Sequence, residues 1–267
     1  AGDGWDPRFE SKPSIYHVEA KDTGDSLNVD KMWYTFPIGD KFEATVGPLI
    51  ENYYMLAATP SVYKPGVLKG FKLGGHASAF GASTSTGAGL KYVADNGFAA
   101  STTFNSKGAE GTAGLFTDQD QNKMNTQIAY TADNYHVSAT YSMQNGWNSW
   151  SYYSTGDLSS GASNVGWGTG STLITTQADA VALRAWWRPE ETGTATPSVS
   201  VGWDTISFSN HGNNITEGSG YFVGFNWSDM FQAEDRIGIA FGQPMKATQA
   251  ESGTTLTAVS YTHLRAH

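Results

Sequence analysis

The sequence predicts an all-β protein: an antiparallel up-and-down β-barrel that spans a membrane with strands. Three observations predict it. First, short runs alternate apolar and polar residues, which gives each strand one apolar and one polar wall. Second, the composition is poor in charge and rich in rings. Of 267 residues 15% are charged and 13% aromatic, with 31 glycines and a mean hydropathy of -0.38. An average soluble domain carries about 25% charged residues, whereas a transmembrane barrel has an apolar outside, a polar inside and a weaker need for charge. Third, the connections alternate in length. They are short at 39–40, 96–97, 133–134, 190–195 and 228–234, and long at 50–85, 106–121, 144–177, 208–217 and 243–254. Outer-membrane barrels keep this parity, with short turns at one end and long loops at the other. A soluble β-sandwich or lectin, the alternative that composition leaves open, has no reason to keep it.

Residues 1–13 read as irregular and 14–20 as a short strand. The hairpin at 31–47 follows. Met32, Tyr34, Phe36 and Ile38 share one face of its first strand against Lys31, Trp33 and Thr35. On its second strand Phe42, Ala44 and Val46 oppose Lys41, Glu43 and Thr45, and Gly39-Asp40 makes the turn. From 47 to 85, Pro48, Pro60 and Pro65 among many Gly and Ser argue for a long loop, part of which can fold into the pore. Strands are expected again at 86–94 and 98–104, joined by Asn96-Gly97, the strongest two-residue hairpin signal. Residues 125–131 and 135–143 form the next pair around Asp133-Asn134. The second is the cleanest strand, with Tyr135, Val137, Ala139, Tyr141 and Met143 against His136, Ser138, Thr140 and Ser142.

After a Gly/Ser/Asn/Trp-rich loop, 178–189 sets Val181, Leu183, Ala185 and Trp187 against Ala182, Arg184, Trp186 and Arg188. Strands at 198–207, 220–227 and 235–242 follow, with a loop at 210–218, a loop at 243–254 and a last strand from Thr255. This makes about twelve strands and no helix. Aromatics stand beside every short turn: Phe36 and Phe42, Tyr92 and Phe98, Tyr130 and Tyr135, Trp187, then Trp227 and Phe231. They predict an interfacial girdle.

Several function classes fall away. There is no Cys, so disulfides, thiolate metal sites and Cys nucleophiles are excluded. A net charge of -9 and a pI near 5.0 argue against nucleic acid as a partner. Asp118-x-Asp120-x-Asn122 opens like a calcium loop, but Lys123 stands where Gly is needed and Ala129 where Glu is needed. Gly166-Trp-Gly168-Thr-Gly170 precedes no helix pattern, no Gly-x-Ser-x-Gly elbow exists, and the six His lack ligand spacing. No catalytic residue, metal or cofactor is expected.

The polar walls carry the candidate residues. Arg184 and Arg188 are four apart on one wall, shared with Ala182 and Trp186. Lys31, Glu43, Lys91, His136, Asp204 and Arg236 also fall on polar faces. They read either as solubilising charge at strand ends or as the lining of a charged lumen that selects by size and sign. On the second reading Arg184, nearer mid-strand, is the constriction candidate that biases the lumen toward anions, and Arg188 serves the rim.

Three stretches carry a family resemblance: Lys31-Met-Trp-Tyr-Thr-Phe-Pro-Ile-Gly-Asp-Lys-Phe42, Ala44-Thr-Val-Gly-Pro-Leu-Ile-Glu51 with Met55-Leu56 after it, and Arg236-Ile-Gly-Ile-Ala-Phe-Gly-Gln-Pro244. Gly89 to Gly97 and Gly114-Leu-Phe116 add to them. The chain resembles the OprB-type carbohydrate-selective porins, above all the cyanobacterial members often named iron-uptake porins. The resemblance implies a barrel of roughly sixteen strands in the bacterial outer membrane, trimeric and in contact with its lipid. It implies passive diffusion of small hydrophilic solutes (carbohydrates, inorganic ions, iron species), with no enzymatic step. It also suggests that Trp186 and Trp33 stack on sugar rings. On this reading residues 1–258 are an incomplete barrel domain, without the wall-binding SLH domain and the last strands. Residues 259–267 break the alternation, lack a terminal aromatic and read as a non-native tail. Two other classes stay open: a soluble carbohydrate-binding protein using the Trp-rich loop 147–167, and an outer-membrane enzyme.

Overall fold

The computed structural model describes residues 29, 31–63, 71, 84–107, 120–146, 177–210, 215–251 and 256. Its strands are β1 Met32–Ile38, β2 Phe42–Glu51, β3 Thr84–Val93, β4 Phe98–Ser106 and β5 Asn122–Thr131, then β6 Tyr135–Asn145, β7 Gln177–Trp187, β8 Ser198–Asn210, β9 Ile215–Ser228 and β10 Arg236–Ala250. All ten lie in one sheet, ordered as in the sequence, and each neighbouring pair is antiparallel. Among the described strands β1 and β10 are the two edges. Among the described residues the only helical turn is Asn52–Met55. The expected strands at 14–20 and from Thr255, Asp118, Gly114-Leu-Phe116, the loop 147–167 and the tail 259–267 lie outside the described residues.

Alternation in sequence becomes two unlike faces. One row across the outer face runs Phe98, Tyr130, Val137, Ala185, Val201, Val223, Phe241. An inner row runs Ser101, Gln127, Thr140, Ala182, Asp204, Gly220. The outer side chains are exposed: Ile128 is 56% accessible, Val137 50% and Leu183 45%. On the inner side Lys123, Asn125, Gln127, His136, Thr140 and Ser142 are all at 0%. This inverts the usual arrangement of a soluble domain, in which apolar residues are buried and uncompensated polar ones are not. β5, β6 and β7 are 10, 11 and 11 residues long, the length a tilted strand needs to cross a bilayer core.

In an up-and-down meander alternate connections share an end, so the five short turns named from sequence lie together. They are tied to one another. Lys41 Nζ meets Asp95 Oδ2 at 2.9 Å, linking the first two. Thr131 N donates to Gly97 O at 2.9 Å, Arg188 N to Asn134 O at 2.9 Å, and Gly193 N to Ser228 O at 2.9 Å. Gly39 and Gly97 take φ of +64° and +88°, which other residues rarely adopt. Above this rim the rings meet across strands: Phe42–Tyr92 at 4.9 Å, Tyr92–Phe98 at 6.3 Å, Tyr130–Tyr135 at 6.0 Å.

Four features correct the sequence reading. β2 runs through Pro48 to Glu51, because a register shift between Gly47 and Ile50 takes the proline out of the ladder. β10 likewise passes Pro244 to reach Ala250, with a shift between Gln243 and Lys246, so 243–250 is strand rather than loop. Most of the loop expected at 208–217 is strand, since β8 runs to Asn210, β9 starts at Ile215, and the two stay in register as far as Ser207 opposite Glu217. Finally, the inner face is not polar throughout. Ala178, Ala180, Ile206, Phe208, Ile215 and Met245 form a buried apolar cluster on its β7–β10 side.

Candidate functional site: an inner wall crossed by a strap

The chain leaves β2 through Asn52–Met55 and then turns extended at Leu56, with φ -68° and ψ 142°. From there to Tyr63 it crosses the inner wall from β4 to β10. Ser101 Oγ on β4 accepts from Ala57 N at 3.0 Å. On β5 the Gln127 amide pairs with both backbone groups of Ala58, at 3.0 and 3.2 Å. On β7 Trp186 Nε1 donates to Thr59 O at 3.1 Å. On β8 Ser200 Oγ accepts from Val62 N and Tyr63 N, each at 3.1 Å. Wall side chains thus satisfy the backbone of a half-buried stretch that has no ladder of its own.

Glycines seat two of its large side chains. A Cβ on Gly89 would stand 2.8 Å from Met55 Cβ, and one on Gly224 2.7 Å from the Tyr63 ring. Met55 and Tyr63 are 2% and 5% exposed, and Tyr63 packs with Phe71, Phe222 and Ala240. The sequence reading placed this stretch in a long loop, part of which can enter the pore. Its described part, 52–63, lies against the inner face of the sheet. Its course was hidden because its partners are single Ser, Gln, Trp and Gly residues scattered over six strands.

The candidate charges come out mostly in pairs. Glu43 and Lys91 face each other across β2 and β3 and form an ion pair. Lys31 Nζ lies 3.1 Å from Glu51 Oε1 and 6.0 Å from the Tyr54 ring centre. Arg184 Nη2 reaches both oxygens of Asp204, at 2.7 and 2.9 Å, while Nη1 donates to the Leu183 and Trp203 carbonyls. Both side chains are shut in, at 0% and 2% exposure. This corrects the expectation that Arg184 offers an anion-selecting charge. Its parity does bring it inward, but Asp204, one strand away, consumes the charge.

Trp186 is corrected too. It is 8% exposed, stacked on His136 at 5.5 Å and 8°, and tied to the strap, so its ring is not open to a sugar. Trp33 is 44% exposed on the edge strand and meets Tyr54 edge-on at 5.4 Å. His136 sits between Thr131 Oγ1 at 2.7 Å and Ser138 Oγ at 2.9 Å. Among the described residues no group of His, Asp or Glu is placed to hold a metal ion.

Arg188 and Arg236 are both exposed, at the short-turn end of the inner-face rows. Arg188 follows the last residue of β7, donates through Nε and Nη2 to Asp133 O, and lies 5.5 Å from the Trp186 ring centre. It shares with Arg236 a cleft of about 260 Å³ at the short-turn rim, which Val62 of the strap also lines. Deeper in, Asn52, Thr103, Asn125 and Thr140 bury side-chain polar atoms that no protein group bonds. Such atoms are costly in a dry core and ordinary where water or a polar solute reaches them.

No family model, no curated protein and no solved structure matches the chain.

Proposed function

We propose that this chain forms the wall of a bacterial outer-membrane channel for passive diffusion of small hydrophilic solutes, narrowed from within by the strap 52–63. This is the function that the resemblance to OprB-type porins implies, with outer-membrane lipid around it and a trimer as the assembly. The observation that carries the proposal is the inversion of the two faces: apolar residues exposed on one, Ser, Thr, Asn, Gln and paired ions buried on the other. Membrane barrels need that pattern, because lipid replaces water outside and a polar path runs inside. The connection parity, the girdle of rings and the strand lengths support it further. A soluble carbohydrate-binding sandwich would need a second sheet to cover the apolar face, whereas the described strands form a single meander.

One substitution separates the two readings. Leu183 lies mid-strand on the apolar face, 45% exposed. In a bilayer Leu183→Arg is expected to cost about 2–4 kcal/mol, read by urea titration of folding into lipid vesicles. In a soluble protein the same exposed change would stay within about 0.5 kcal/mol, and the protein would be monodisperse without detergent. That second result would remove the membrane reading. In planar bilayers the conductance expected is that of a restricted pore, because the strap and the covered inner wall leave little open section.

A further inference from the structure

We infer that the rim cleft between the β7–β8 connection and the start of β10 is a binding site for a small oxyanion, such as phosphate, sulfate or a carboxylate. Charge balance directs attention there. Lys31, Lys91 and Arg184 each lie against a carboxylate. Among the described residues Arg188 and Arg236 form no such ion pair, yet they line one cleft of about 260 Å³. Arg188 is held in place there, its Nε and Nη2 fixed on the Asp133 carbonyl at 3.0 and 2.8 Å. A guanidinium anchored through neutral acceptors keeps its full charge for a ligand.

The rest of the lining suits an oxyanion. Thr192, Thr194 and Thr196 are among the residues that line the cleft. Oxyanions are recognised by several donors converging with a guanidinium, and charge-assisted bonds of this kind are the strong ones. Glu191 is the one carboxylate in the lining, so the site carries two positive charges against one negative. This net positive cleft lies within a chain of net charge -9. Val62 places the end of the strap at the same cleft, so an anion held there stands beside the narrowed passage.

The site is tested without reference to conduction, so its failure is distinct from failure of the channel reading. The full chain, folded in detergent micelles, is titrated with inorganic phosphate and with sulfate by calorimetry. Saturable binding is expected, weakened about tenfold or more by Arg236→Gln and abolished when Arg188→Gln is added. Glu191→Gln is expected to tighten it about threefold by removing a like charge from the lining. Lys41→Gln makes the same change in net charge in another turn of the rim and leaves the affinity unchanged. Circular dichroism checks folding; should Arg188→Gln fail to fold, Arg236→Gln decides alone. Absence of saturable binding by the wild-type chain would overturn the proposal. So would equal weakening by Lys41→Gln and Arg236→Gln, which would show diffuse attraction by the rim.

Discussion

Arg184 shows how one contact changes the meaning of a residue. On its strand it alternates with Leu183 and Ala185 and therefore faces inward, but its charge is consumed by Asp204 at 2.7 and 2.9 Å. A buried pair is strongly destabilised when one partner goes, since the other charge is left uncompensated. Arg184→Ala is therefore expected to lower unfolding stability by about 3–5 kcal/mol, measured by urea titration. The double change Arg184→Met with Asp204→Leu is expected to recover most of that loss, and under the proposed channel function the reversal potential is expected to stay unchanged in the double variant. A large shift in reversal potential there would return Arg184 to the selectivity filter. Gly224 is a second residue-scale case. A Cβ there would meet the Tyr63 ring at 2.7 Å. Gly224→Ala is expected to cost about 1–3 kcal/mol and to raise conductance by loosening the end of the strap.

Among the elements, the strap and the turns repay testing. Tyr63 is the strap's apolar anchor, 5% exposed against Phe222. Tyr63→Ala is expected to cost about 3 kcal/mol and, in planar bilayers, to raise single-channel conductance while the strands persist by circular dichroism. An unchanged conductance would mean that the strap does not narrow the path. The β9–β10 turn is organised by Asp235, whose carboxylate accepts from the backbone N–H groups of Met230, Phe231 and Gln232 at 2.7, 2.9 and 3.2 Å. Partial burial opposes its ionisation, but these donors outweigh burial and hold its carboxyl below the usual carboxylate range. A depressed pKa stabilises the fold above the unfolded value, about pH 4, and that contribution is lost as pH falls through the lowered pKa. Asp235→Asn is expected to be less stable than wild type at neutral pH and to converge with it in acid, as followed by thermal unfolding across pH 2–7.

At the scale of the whole molecule, the proposed membrane location predicts which rings meet lipid. Trp187 and Trp203 are 41% and 47% exposed on the outer face, whereas Trp186 is 8% exposed on the inner face. In single-Trp variants reconstituted with brominated lipid, fluorescence from Trp187 and Trp203 is expected to be quenched strongly and that from Trp186 weakly. Equal quenching of all three would contradict the assignment of faces.

The sequence by itself determined the ten described strands, their order and, over most of their length, their two faces. Alternation from Tyr135 to Met143 can place its apolar set on only one side, because side chains on a strand repeat every two residues. Turn residues such as Asn96-Gly97, with the parity of connection lengths, then placed the short turns at one end. Strand ends were legible only where no proline intervened, since a register shift at Pro48 or Pro244 is a property of the paired ladder, not of the single strand. What the tertiary structure alone decided is what stands against each face. The pairing of Arg184 with Asp204, the capture of Trp186 by Thr59 and the seating of Tyr63 on Gly224 join residues between 20 and 161 positions apart. No local pattern encodes such contacts, because they depend on which strand lies next and on which gap a missing Cβ leaves for the strap.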